Sequence, residues 1–346
     1  MTAAIEPACP KRMVFGPCGG VRDDSGCEMG PQPCPFTRRP LVTWPGDPAA
    51  ASAAAAAGPT AVPAQGSLLA LAATRPVVLT DLTVRPFDRG SVAAVTGLLA
   101  PASDALLVGE HQNRPDYPPT FLAAHILAAG GRPWMTLTCR DRNRLGLEQE
   151  LEGLSALGVE GVLCATGDGR AHGVRPGVTQ VFDLDGPRLA HLAAGIGLAP
   201  AVPESPEAAP RGLRAHRVVE KQRAGARLCV LNHASSPAAL AAFVGAARAA
   251  GATLPFLAGV AVYTDARSAA VLQGFPGLRL DARAVAAVLD AADPVTAGID
   301  AAVAEARALL AIPGVVGVNL SGLACADGEE AAAGIKAAVG REVLGR

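Results

Sequence analysis

The sequence predicts an α/β chain: a single (β/α)8 barrel preceded by a small cysteine-rich, metal-binding module. Three observations predict it. Short apolar runs alternate with longer amphipathic segments after Arg75, which is the pattern of parallel strands joined by helices. Eight such runs occupy about 270 residues, the usual extent of one closed barrel. Polar residues stand at the carboxyl ends of those runs, where this architecture places its chemistry: Asp81, Glu110, Thr138, Asp168, Glu204 and Asn232. A doubly wound open sheet shares the alternation, so closure rests on the third observation.

The chain divides into three parts. Residues 1–45 hold Cys9, Cys18, Cys27 and Cys34 and form the expected module. Residues 46–75 are expected to be a linker, because the stretch from Pro40 to Gly66 is a run of Ala, Pro and Gly with almost no large side chain to bury. Residues 76–346 form the barrel. Its expected strands are PVVLTDL, DALLVGE, WMTLTC, GVLCATGD, the weaker LAPAVPES, then RLCVLN, LPFLAGV and VVGVNL. Segments between them, such as RNRLGLEQELEGLSALG, have helical spacing, and many close on a glycine at the expected stop.

Composition excludes several classes. The net charge of -1, without a basic block, argues against nucleic acid as a partner. No window of eighteen bulky apolar residues offers a membrane span, and MTAAIEPACPKR lacks the apolar core of a signal peptide, so a cytoplasmic location is expected. Clustered thiols in a reducing compartment bind metal or do redox chemistry more often than they pair. The four N-terminal cysteines are separated by eight, eight and six residues. Four thiolates can close a tetrahedral zinc site or hold a [4Fe–4S] cluster, and in so small a segment the metal would supply folding energy. Cys139, Cys164, Cys229 and Cys325 are dispersed through barrel elements and read as buried structural thiols.

The densest local signal is LTCRDRNRLGLEQELEGLSALGVEGVLCATGD, residues 137–168, followed by VFDLDG, AVPESPEA, KQRAGARLCVLN and PFLAGVAVYTDA. The turn Thr138-Cys139-Arg140-Asp141-Arg142-Asn143 leaves a strand and enters a helix, and its guanidinium and amide groups suit an anionic ligand. Read structurally, the same turn is a capped helix start with surface ion pairs. In order and spacing these stretches resemble the methylenetetrahydrofolate reductase family over most of residues 76–320.

The resemblance implies FAD as cofactor, with Thr138, Arg142, Asp168 and Lys221 on matching positions, and NADH as the simplest electron source. It implies a tetrahydropterin substrate contacted by Asn232, His233 and Tyr263. Asp168 would favour the developing cation on the one-carbon unit. Asp81 stands where the family usually has a glutamate that protonates the leaving ring nitrogen; the acid here is one methylene shorter. Thr136 stands where the family often has histidine, and Asn232 where it has glutamine. Asp81 and Asp168 are expected to converge on one cavity.

The opening segment resembles a second module, C-P-K-x-M-x-x-G-P-C-G-G followed by C-E and a further cysteine, over about residues 8–36. That module is found beside or fused to some bacterial reductases of the family. The implied function is hydride transfer from reduced FAD to 5,10-methylenetetrahydrofolate, giving 5-methyltetrahydrofolate in one-carbon metabolism. The alternatives are a folate- or pterin-binding enzyme without flavin, or a subunit that docks a redox partner through its cysteines. Homo-oligomerisation is compatible with either.

Overall fold

A computed structural model describes residues 4–39, 41–45, 66–111, 113–169, 177–275 and 278–346. Eight parallel strands close a barrel in sequence order: β1 (Val77–Leu82), β2 (Ala105–Val108), β3 (Pro133–Thr138), β4 (Gly161–Ala165), β5 (Ala199–Glu204), β6 (Leu228–Leu231), β7 (Phe256–Tyr263) and β8 (Val315–Ala324). All eight expected runs are strands. The seam is made where β1 pairs β8, with Leu79 against Asn319, so the sheet has no open edge and the doubly wound alternative is excluded.

Helices follow the strands and cover the outside: α2 (Arg89–Leu99), α3 (Pro119–Ala128), α4 (Arg144–Ala156), α5 (Gly186–Ile196), α6 (Arg211–Arg223), α7 (Pro237–Ala249) and α11 (Glu329–Leu344), with α8 (Ala266–Gln273), α9 (Ala282–Leu289) and α10 (Pro294–Leu310) in the β7–β8 connection. Their starts are written locally. Asp88, Asn143, Asp185, Ser236, Asp265, Asp281 and Asp293 each accept a hydrogen bond from a backbone N–H of the first turn, which satisfies donors the helix cannot use itself.

Two apolar layers result from the alternation of side chains along each strand. Val77, Leu79, Leu107, Trp134, Leu163, Leu228 and Leu257 point inward and fill the barrel. Val78, Leu106, Met135, Val162, Val202, Cys229 and Val318 point outward against the helices. The expected buried thiols Cys139, Cys164, Cys229 and Cys325 are all buried.

The expected linker needs a correction at its end. Residues 46–65 lie outside the described residues, but the stretch that follows contains helix α1 (Leu68–Ala72), capped by Ser67. Leu68 is 1% exposed and packs under Val77, Leu79 and Trp134, closing the amino-terminal end of the barrel. Glu160 holds it there, accepting from Leu68 N at 2.7 Å, Leu69 N at 2.9 Å and Trp134 Nε1 at 3.3 Å. A carboxylate at a helix amino end is favoured both by its free N–H groups and by its dipole. Among the described residues no helix is long and apolar enough to cross a membrane.

Candidate functional site at the barrel mouth

The N-terminal segment lies over the carboxyl-end mouth and down one side. Val14 N donates to Asp185 Oδ2 at 3.0 Å, Arg217 Nη1 to the Phe15 carbonyl at 2.5 Å, and Arg12 pairs with Asp183 at 3.4 Å. Farther along, Trp44 N donates to Glu220, and the indole stacks with Phe15 and His191 at centroid distances of 4.5 and 5.3 Å. These contacts reach the turn after β4, α5 and α6.

The expected four-thiolate centre finds no support in the side-chain placement. Among the described residues no group of three or more His, Cys, Asp or Glu side chains is placed to hold a metal ion. Cys9, Cys18 and Cys34 instead flank a small apolar cluster of Met13, Val21 and Phe36. Cys18 Sγ donates to Glu28 Oε1 at 3.3 Å, and burial pushes its thiol up to about 12. Burial also raises Cys9 and Cys34. Cys27 adds to the rise at Cys9, and Cys9 and Cys27 add to the rise at Cys34, so these three thiols are neighbours.

Beneath the segment is a cavity of about 300 Å³. Lys11, Cys18 and Glu28 form its roof, Thr136, Thr138 and Arg140 come from β3 and the turn after it, and Asp168 comes from the turn after β4. Glu204, Asn232 and three cations of α6, Arg214, Arg217 and Lys221, complete it. A second cavity of about 320 Å³ shares Gly109, Glu110 and Thr136 with the first and extends to Arg142 and Tyr117.

Charge in the cavity is arranged in layers. Lys11 pairs with Glu28 at 2.6 Å and donates to the Gly167 carbonyl at 2.5 Å. Gly167 takes φ +91°, a left-handed conformation that suits glycine and presents that carbonyl. Glu204 is paired by Lys221 at 2.8 Å and Arg214 at 3.4 Å. Burial alone would raise Glu204, yet Lys221, Arg214 and Arg217 together hold it below the usual carboxylate range. Arg217, 2% exposed, has no carboxylate in ion-pair contact among the described residues, and its Nε is unpartnered.

Four expected site residues line the first cavity: Thr138, Asp168, Lys221 and Asn232. The Asp168 carboxylate makes no hydrogen bond among the described residues; burial raises its pKa, Lys11 and Arg140 oppose that rise, and Glu28 adds to it. Asn232 Nδ2 donates to Ser205 Oγ at 2.8 Å. Arg142 lines the second cavity.

Asp81, His233 and Tyr263 line neither. Asp81 sits on the inner face of β1, accepts from Asn319 Nδ2 at 3.1 Å, and is raised by burial. The expectation that Asp81 and Asp168 share one cavity is therefore corrected: the side chain of Asp81 is engaged with β8. His233 is buried, bonds Ser321 Oγ at 2.7 Å and is pushed down to about 4 by burial. Tyr263 packs among Ala269, Leu272, Val285 and Val288, under α8 and α9, so the expected stacking surface faces a helix pair rather than the mouth.

The donor set does not fit FAD. Thr138 donates through N and Oγ1 to Glu110 Oε2, each at 2.7 Å, and Arg142 pairs with the same carboxylate. Lys221 is taken by Glu204 and the Pro203 carbonyl. The groups expected to meet a diphosphate already meet carboxylates, and two anions sharing those cations repel one another. A cavity of about 300 Å³ lies at the small end of ligand sites and suits one bicyclic ring system.

Lys11, Glu28, Arg214 and Arg217 were not among the residues the sequence singled out. Lys11 and Glu28 lie inside the Cys-Pro-Lys and Cys-Glu motifs but were overshadowed by the thiols beside them. Arg214, Arg217 and Lys221 recur at helical spacing, a signal of one charged face, and that face is buried at the mouth.

No family model and no curated protein matches the sequence. Solved structures are similar to the chain to differing degrees. An uncharacterized protein from Clostridium thermocellum that binds two copies of 5-methyl-5,6,7,8-tetrahydrofolic acid aligns with TM-score 0.56 and 10% identity, covering 78% of this chain and 96% of its own. Tryptophan synthase from M. tuberculosis aligns with TM-score 0.44 and 17% identity, over 80% of this chain and 99% of that one. Oxaloacetate acetylhydrolase aligns with TM-score 0.42 and 12% identity, over 71% and 75%. At 10% identity what the first of these shares with this chain is the fold.

Proposed function

We propose that the mouth cavity binds the tetrahydropterin head of a reduced folate and that the chain acts on the one-carbon unit it carries. The observation that supports this most is Asp168: a buried carboxylate without a hydrogen bond among the described residues, opening into a cavity of ring size. The folate-binding barrel from Clostridium thermocellum supports the same ligand class.

Reduction of 5,10-methylenetetrahydrofolate is the reaction this reading favours. Opening the five-membered ring places one proton on the departing nitrogen and leaves an iminium carbon; one hydride then completes the methyl group. The Asp168 carboxylate stabilises the iminium by charge, an effect that is large where water is scarce. The proton comes from solvent, since Asp81 is engaged with Asn319 and lines neither cavity. A reduced nicotinamide would supply the hydride. Glu110 and Glu204 occupy Thr138, Arg142 and Lys221, the groups that the diphosphate of any dinucleotide would otherwise meet there.

Titration calorimetry of the full chain with 5-methyltetrahydrofolate, alongside an anaerobic absorbance spectrum and metal analysis, tests the proposal. Saturable binding that Asp168→Asn weakens is the expected result. Absence of saturable heat with both the methyl and the methylene folate would overturn the ligand class; a flavin spectrum in the purified protein would overturn the claim that this donor set does not fit FAD.

A further inference from the structure

We propose that Lys11 and Glu28 of the N-terminal segment are positioning residues for Asp168, so that the segment is a working wall of the barrel's own site. The inference rests on the reading of Asp168 as the site carboxylate and goes on to say what holds it.

The contacts form a closed ring around one residue. Lys11 Nζ donates to the carbonyl of Gly167 at 2.5 Å, on one side of Asp168. Glu28 Oε2 accepts from Gly169 N at 2.9 Å, on the other side. Lys11 and Glu28 close the ring between themselves at 2.6 Å. The backbone on both flanks of Asp168 is thereby bonded to the roof, while its carboxylate is left open to the cavity.

Docking alone does not call for this chemistry. Lys11 is 2% exposed, and a buried ion pair loses much of its attraction to desolvation, so apolar side chains of equal volume would hold a segment as well or better. What a charged pair adds is a defined potential at its neighbour. The charged groups acting on Asp168 among the described residues are Lys11 and Glu28 from the segment and Arg140 from the turn after β3. The local sequence is also shaped around the ring: a Cβ on Gly20 would lie 1.8 Å from Glu28 Oε1, and one on Gly169 would lie 2.2 Å from Met29 Sδ. A side chain at Gly20 would turn the Glu28 carboxylate out of the ring, and one at Gly169 would turn the Met29 thioether aside.

The test is the titration of Asp168 itself, followed by carboxyl carbon-13 NMR on the full chain labelled at aspartate, with Asp168→Asn to assign the signal. Lys11→Met removes a cation and raises the midpoint, by about 1 pH unit for a neighbouring opposite charge. Glu28→Gln removes an anion and leaves Lys11 unpaired, so the midpoint falls; Lys11→Arg restores it towards the wild-type value. Opposite signs with rescue by arginine are the expected result. Loosening of the roof would expose Asp168 and lower the midpoint in both variants, so a shift of one sign in both, or no shift in either, overturns the proposal. No folate enters the measurement, so failure of the folate reading and failure of this ring are separate outcomes.

Discussion

Glu204→Gln is the substitution for which the structure makes the largest demand on stability. Glu204 is 3% exposed and faces Lys221 at 2.8 Å and Arg214 at 3.4 Å, with Arg217 close enough to help hold it ionised. Glutamine keeps the shape and one acceptor but removes the only carboxylate paired to these cations among the described residues. Breaking a buried pair by deleting one partner costs about 3–5 kcal/mol, because the remaining charge stays buried. For a domain of this size that corresponds to a fall in melting midpoint on the order of 10 °C. Thermal and urea unfolding of the full chain read it directly. The pH dependence carries the sign: a carboxylate whose folded pKa is depressed contributes stability above the unfolded value of about 4.3 and loses it as pH falls through the folded value. Wild type therefore has an acid limb that the variant lacks. Lys221→Met in the Glu204→Gln background restores part of the loss, giving a non-additive cycle. A loss below about 1 kcal/mol, or strict additivity, would refute the claim that Glu204 balances the α6 cations.

Three further outcomes follow from the same geometry. Asp168→Asn keeps the fold and lowers turnover of the methylene folate by about 10²–10³, the usual effect of removing one charge-stabilising group, with circular dichroism as the control for folding. Leu68→Ala opens a void under the barrel floor and costs about 2–5 kcal/mol in urea unfolding, whereas an unanchored linker residue would cost nothing measurable. His233, held down to about 4 from an ordinary 6.5, is neutral in the fold while the unfolded chain takes up a proton below 6.5; stability therefore drains as pH falls between those values, and His233→Gln removes that slope from a pH series of denaturant midpoints.

The barrel was legible because each strand is an apolar run closed by a polar residue, and no distant contact is needed to recognise one. VVLTDL and GVLCATGD show this plainly. Helix α1 was not, since SLLALAATR follows an Ala- and Pro-rich stretch and its partners Glu160 and Trp134 are remote in sequence. The rim positions of Thr138, Asp168 and Asn232 were legible from strand ends, whereas Lys221, inside α6, entered only through the family resemblance. What escaped was long-range: that Glu110 would claim both Thr138 and Arg142, that Tyr263 would turn under α8 and α9, and that Asn319 would draw Asp81 aside. Pairings between loops of a closed barrel depend on its register, which local periodicity does not encode.

The path of the first seventy residues or so has one more consequence. The roof and the floor of the barrel belong to one continuous strip of chain, with residues 46–65 between Pro45 on the flank and Ser67 below. A tethered part meets its target at an effective concentration near the millimolar range rather than at that of the protein in solution. Completeness of the pocket is thus insensitive to dilution.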